Sequence, residues 1–189
     1  MSCAPRLVDE EARSHHTGRI RVIASKCSMP RPAPIKTLGC ITAMAFIAMA
    51  LQSAPLEPSI PAIQLTFSEH AFRSILDRWQ AAGVSRFKTH FLFDFPLLVS
   101  YGCFGYAASR QTALFHRLHG RTRSLLAWSL PAAAIADAIE NVLHLGFVFA
   151  SGTVPGSLYF VSGVVASVKW LLIIIFVLAA AYAVLRSSR

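Results

Sequence analysis

The sequence predicts an all-α fold, a four-helix transmembrane bundle with a short amphipathic helix between spans 1 and 2. Three observations carry this expectation. Of 189 residues, 54% are apolar and only 14% charged, against about 25% charged in an ordinary soluble domain. Four stretches approach the ~20 apolar residues that a helix needs to cross a hydrocarbon core of ~30 Å. Between them, basic residues gather in short segments, as they do in cytoplasmic loops. The net charge of +9 would by itself suggest a nucleic-acid partner, but such modules are polar and Lys-rich, so no nucleic acid is expected. A disordered chain and a disulfide-stapled secreted domain are excluded by the same apolar content.

Taken in order, residues 1–36 are rich in Arg and Pro (Pro30, Arg31, Pro32, Pro34) and read as a basic, disordered cytoplasmic tail. Residues 37–189 form the membrane domain. Its first span, 37–53 (TLGCITAMAFIAMALQS), carries no charge. A basic start followed by an apolar run and AMALQSA also fits a signal peptide, with Met29 as an alternative start. Whether residues 1–53 are retained is therefore open. Leu38-Gly39-Cys40 resembles a lipobox, but the apolar run follows the cysteine instead of preceding it, so lipidation is rejected. A Pro-rich linker, SAPLEPSIP, comes next.

The amphipathic helix is placed at about 69–82. Ser68 suits the N-cap, Glu69 the first turn and Gly83 the stop. Phe72, Ile75, Leu76 and Trp79 recur at i, i+3, i+4 and i+7, which is one helical face. This helix is too short and polar to span. Two placements remain: at the interface with Trp79 at headgroup level, or packed on the bundle as a lid. The remaining spans are 90–109, 125–150 and 158–185. Pro131 is expected to kink the third of the four.

Orientation follows from the basic residues. The tail carries seven, the 110–124 loop carries Arg110, Arg117, Arg121 and Arg123, and the C-terminus carries Arg186 and Arg189. Four spans put all three regions on one face, with both termini cytoplasmic in a bacterial inner (plasma) membrane. His116 and His119, within the Arg-rich loop, read as solvated. Cys3, Cys27, Cys40 and Cys103 have neither zinc nor redox spacing.

Four charges fall inside apolar spans: Asp94, Asp137, Glu140 and Lys169. Each is costly in lipid, so such residues face a bundle interior, a partner or a wet cavity. Asp137, Glu140, Asn141 and His144 lie at i, i+3, i+4 and i+7, one stripe of the third span. Asp94 and Tyr101 share a face of the second. At a rise of ~1.5 Å per residue, the topology brings these groups into two layers. Asp94 comes level with Glu140, Asn141 or His144, while Tyr101, Asp137 and Lys169 share the middle. Three carboxylates face one ammonium. Either one or two carboxyls keep a proton, or a cationic group completes the site. Asp94, Tyr101, Asp137, Glu140, Asn141 and Lys169 are thus candidates for binding a ligand or a proton, with His144 a weaker one. Bland alternatives stand beside each. Asp94 could cap a helix ahead of Pro96, Tyr101 and Asn141 could be interhelical glue, Lys169 with Asp137 a structural pair, and His144 an interfacial histidine.

On these residues, with Trp79 ending an external helix (ILDRWQAAG), the chain resembles a group of uncharacterised small bacterial four-span integral membrane proteins. They carry intramembrane D…Y, D-x-x-E-N and a lone K. The resemblance covers about residues 65–185 and implies that the four spans and the polar cluster belong together. No activity comes with it. A looser likeness to four-span sterol-binding or sterol-isomerising domains rests on analogy alone.

No motif for nucleotide, zinc-hydrolase or serine-hydrolase chemistry is present, nor an acid-rich D-D-x-x-D for magnesium diphosphate, so neither metal nor cofactor is expected. Proton transfer by two carboxylates, a Lys and a Tyr leaves the enzyme question open. Three functions follow. The first is a pocket for a small amphipathic or lipid-like molecule whose polar end meets Glu140 and Asp94. The second is a structural or accessory subunit whose cluster fixes helix packing. The third is a component of proton- or ion-coupled transport, which at four spans would need a homo-oligomer. The lipid bilayer is a partner in all three.

Overall fold

The structure, a computed structural model, describes residues 33–116 and 118–187. Most of the expected tail, 1–32, lies outside them. The described chain forms α1 (Ala33–Ser53), α2 (Ile60–Gln64), α3 (Glu69–Gln111), a 3-10 turn (Ala113–Phe115), α4 (Gly120–Phe149) and α5 (Gly156–Ser187), with no strand among the described residues. α1, α3, α4 and α5 are each long and apolar enough to cross a membrane. Their outward faces are greasy. Met44, Phe46, Ile47 and Leu51 on α1 and Leu171, Ile174, Ile175 and Leu178 on α5 are all exposed. Together these features make the chain an integral membrane protein.

The helices do not close a symmetric ring. α4 lies between α3 and α5, and α1 leans on α3. Gly39 on α1 faces the Phe104 ring. At the other end, Gln52 donates to the Arg86 carbonyl (2.8 Å) and Arg86 to the Gln52 carbonyl (3.1 Å). Small residues set the α3–α4 crossing. Gly105 lies so close to Leu130 that an added Cβ would fall 2.5 Å from its side chain, as expected where helices meet through small residues in lipid. The loop after α3 is tied back by Arg123, which donates to the carbonyls of Ser109 (2.9 Å) and Arg110 (2.6 Å). Those carbonyls are the unpaired acceptors at the end of α3.

Several boundaries differ from the sequence expectation. α1 starts at Ala33 rather than 37. The linker holds a helical turn, α2, with a Pro in its first turn. The amphipathic segment is not a separate helix of 69–82 but the first arm of α3, broken at Gln80 (φ 53°, ψ −173°). Ser68 does cap it, accepting from the Ala71 amide. Gly83 is not the stop. It lies in the second arm, where an added Cβ would come 2.6 Å from the Trp79 Cβ. The glycine is thus required by the close approach of Trp79, and the break falls where the chain must turn the lid back onto the bundle. Gln80 sits in backbone space that only glycine favours, at a strain of about 1–3 kcal/mol. Trp79 holds it there by donating to the Pro58 carbonyl at 2.8 Å.

The arm is a lid. Phe72, Ile75 and Trp79 are buried in one cluster with Leu56, Ile60, Ile63, Phe87, Phe91, Phe147 and Tyr159, so its apolar face is taken up by the bundle and is not left for the interface. α4 continues helically through Pro131. Pro96 likewise lies within α3, which places Asp94 in mid-helix and removes its reading as a cap.

α5 carries the lid's far support. At Gly163 an added Cβ would fall 2.6 Å from the Thr66 carbonyl oxygen and 2.7 Å from the Phe67 ring. Gly163→Ala is expected to destabilise the folded protein in detergent by about 1–3 kcal/mol, as overpacking does. Gly146→Ala, at a helical site with open space around it, is expected to stabilise by up to about 1 kcal/mol from helix propensity. Thermal unfolding of the two variants checks the contrast.

Candidate functional site

The three helices of the core each send polar side chains to one place. On α3, His90 and Asp94 are one turn apart and Tyr101 two turns further along. On α4, Asp137, Glu140, Asn141 and His144 form the stripe that their spacing requires. On α5, Tyr159, Ser162, Ala166 and Lys169 make the buried face. Glu140 is 0% exposed, Asn141 1%, and Lys169 2%.

Lys169 is the junction. Its Nζ donates to Asp137 Oδ1 at 3.0 Å and lies 2.7 Å from Glu140 Oε2. The second contact is a close ion pair. Tyr101 donates its hydroxyl to the other Asp137 oxygen, Oδ2, at 3.1 Å. Asn141 donates Nδ2 to Asp94 Oδ2. All six principal candidates therefore stand in two neighbouring sets of contacts. Asp94 meets Asn141, Tyr101 and Lys169 meet Asp137, and Lys169 joins that layer to Glu140.

Two histidines extend them. His144 Nδ1 is 3.8 Å from Glu140 Oε1, so it belongs to the buried cluster and not to an interface. His90, at the first position of the apolar run 90–109, has Nε2 3.9 Å from Asp94 Oδ2. Its i, i+4 relation to Asp94 was the available signal, since one helical turn brings two such side chains together. Above the histidines the lid and its neighbours form an aromatic roof. Ring centroids of Phe72 and His144 are 5.2 Å apart, and Phe87 lies 6.0 Å from His144 and 6.3 Å from His90.

An apolar groove of about 520 Å³ runs along the α3–α4 seam. Its lining includes Leu98 and Gly102 on α3 and Ala134 and Ala138 on α4. These residues flank Tyr101 and Asp137 at i−3 and i+1, so the groove lies one helix face away from the Tyr101–Asp137 hydrogen bond. None of the cluster residues lines it. Among the described residues no group of three His, Cys, Asp or Glu is placed to hold a metal ion.

Comparison of the chain with protein-family models, with curated proteins and with solved structures gives no match. The site has to be read from its own geometry.

Removing one partner of a buried ionic network leaves the other charge uncompensated. Lys169→Met is therefore expected to destabilise by about 3–5 kcal/mol. Tyr101→Phe, which removes one interhelical hydrogen bond, should lose only about 0.6 kcal/mol. Unfolding titrations of both variants in mixed micelles check the ratio.

Proposed function

We propose that this is an inner-membrane protein, with both termini cytoplasmic, that binds a small amphipathic or lipid-like molecule at the α3–α4 seam. The ligand's chain lies in the groove and its polar end reaches the Tyr101–Asp137 edge of the buried cluster. The observation that carries this is the flanking of both polar residues by groove residues on their own helices. Charge narrows the ligand further. Lys169 is already shared between two carboxylates, so the site holds no free cation for an anionic headgroup. A neutral or cationic polar end, such as an alcohol or an amine, fits. The resemblance to uncharacterised four-span proteins rests on these same residues and is part of this proposal.

A second reading draws on a specific observation, the dense mutual pairing of Asp94 with Asn141 and of Tyr101, Asp137 and Glu140 with Lys169. In it the network only fixes the packing of α3, α4 and α5.

A photoreactive fatty alcohol separates the two. In bilayer nanodiscs it is expected to label the α3 and α4 segments 98–106 and 128–138 preferentially. Ala138→Trp, which fills the groove, should abolish that labelling. Replacing Asp137 by Leu, Lys169 by Met and Glu140 by Gln together should leave the fold intact but reduce labelling severalfold. Label spread over α1 and α5 in proportion to their exposure, and unchanged in both variants, would contradict the ligand reading and leave the structural one.

A further inference from the structure

We propose that the two histidine–carboxylate couples, His90–Asp94 on α3 and Glu140–His144 on α4, form a proton-holding site that takes up as many as two protons. The inference does not depend on the groove ligand. It rests on geometry, on hydrogen bonding and on a count of charge.

The geometry is a repeated unit. In each couple a histidine and a carboxylate are one helical turn apart, with nitrogen and oxygen separated by 3.9 Å on α3 and 3.8 Å on α4. All four side chains are at least nine-tenths buried. Both imidazoles lie against Phe87, so a single aromatic ring lines the two couples. The separations are longer than a hydrogen bond, and each couple has to close by about 1 Å to form one. A proton placed between the partners would make a charge-assisted hydrogen bond of about 2.7–2.9 Å.

The hydrogen bonding is incomplete at these groups. Both ring nitrogens of His90 and Oε1 of Glu140 are buried without a hydrogen-bond partner among the described residues, while Glu140 Oε2 meets the Lys169 ammonium. An imidazole always carries at least one N–H, and a buried histidine serving only as packing would have that donor satisfied. The nearer His90 nitrogen, Nε2, lies 3.9 Å from Asp94 Oδ2, just beyond hydrogen-bond reach.

The charge count points the same way. Three carboxylates and one ammonium face each other, and with both imidazoles neutral the site carries a surplus of two negative charges. The groups that face it are His90, Asp94 and Tyr101 from α3, Asp137, Glu140 and His144 from α4, and Lys169 from α5, with the Tyr159 and Ser162 hydroxyls on the same buried face of α5. The lid brings the Phe72 ring; its Glu69 and Arg73 pair with one another at 2.6 Å on the exposed side, with Arg73 also near Tyr159. Lys169 is the sole buried cation among these groups, and it is committed to Asp137 and Glu140. Two protons distributed over His90, Asp94, Glu140 and His144 make the site neutral. Asn141 fixes Asp94 at one end, and the Tyr101–Asp137–Lys169 chain fixes Glu140 at the other. The proton positions therefore lie between anchored groups.

The test uses the full chain in nanodiscs, ¹⁵N-labelled at histidine. Imidazole nitrogen shifts and the infrared band of protonated carboxyls are followed together through a pH titration. The expected result is a carboxyl band that titrates together with a change at His90 or His144. In addition, His90→Gln and His144→Gln should each change the proton affinity of the partner carboxyl by at least about tenfold, one pH unit. Asp94→Asn and Glu140→Gln assign the band. The proposal is overturned if wild-type protein shows neither a protonated carboxyl nor any imidazole titration. It is overturned equally if the band titrates identically in both histidine variants. The wild-type titration stands alone should a variant fail to fold.

Discussion

The Lys169 ammonium, held between Asp137 and Glu140 inside the bundle, is the charge around which the buried polar groups are arranged. A lysine there is tolerable only with a carboxylate at hand, and α4 supplies two on one face. This contact sets the rotation of α5 against α4. The Tyr101–Asp137 and Asp94–Asn141 hydrogen bonds then set α3 against α4 in turn. Three helices are thereby fixed by these contacts, while α1, which contributes nothing to them, leans on α3 alone. A single Lys–Asp pair would suffice to fix a register. The further carboxylates and the two histidines go beyond that need, and buried ionic networks rarely add stability over apolar packing of the same shape.

The lid completes the enclosure. Its apolar stripe, Phe72, Ile75 and Trp79, closes over the histidines, and the Trp79–Pro58 hydrogen bond with the Trp79–Gly83 contact holds the break at Gln80. Strain of this kind persists where surrounding packing over-determines it. Here the surroundings are the aromatic cluster that roofs the site. The fold thus places a deficit of positive charge under an apolar cover, where electrostatic interactions are strongest.

Much of this was legible in the sequence. The four spans follow from hydropathy, and the α4 stripe from the i, i+3, i+4, i+7 spacing of Asp137, Glu140, Asn141 and His144. The meeting of Tyr101 and Lys169 with Asp137 follows from matching depths along antiparallel helices. What escaped has physical reasons. His90 sits at the edge of its apolar run, where a histidine looks like a boundary marker, and only its pairing with Asp94 shows otherwise. The break at Gln80 could not be read, because Gly83 offers the stronger stop signal and serves packing instead. Pro96 and Pro131 look like helix ends or kinks, yet both helices continue through them, as neighbouring helices allow in membranes. The groove could not be read either, since it depends on how closely α3 and α4 approach.

The central claim is that the buried network is kept for its chemistry and not for stability. Replacing Asp94, Asp137, Glu140 and Asn141 by Leu, Tyr101 by Phe and Lys169 by Met in one variant, and measuring its unfolding free energy in bilayer-like micelles, tests this most directly. The account predicts a variant at least as stable as the natural protein. A variant that unfolds far more easily, or fails to assemble its helices, would contradict it and make the network the glue of the bundle.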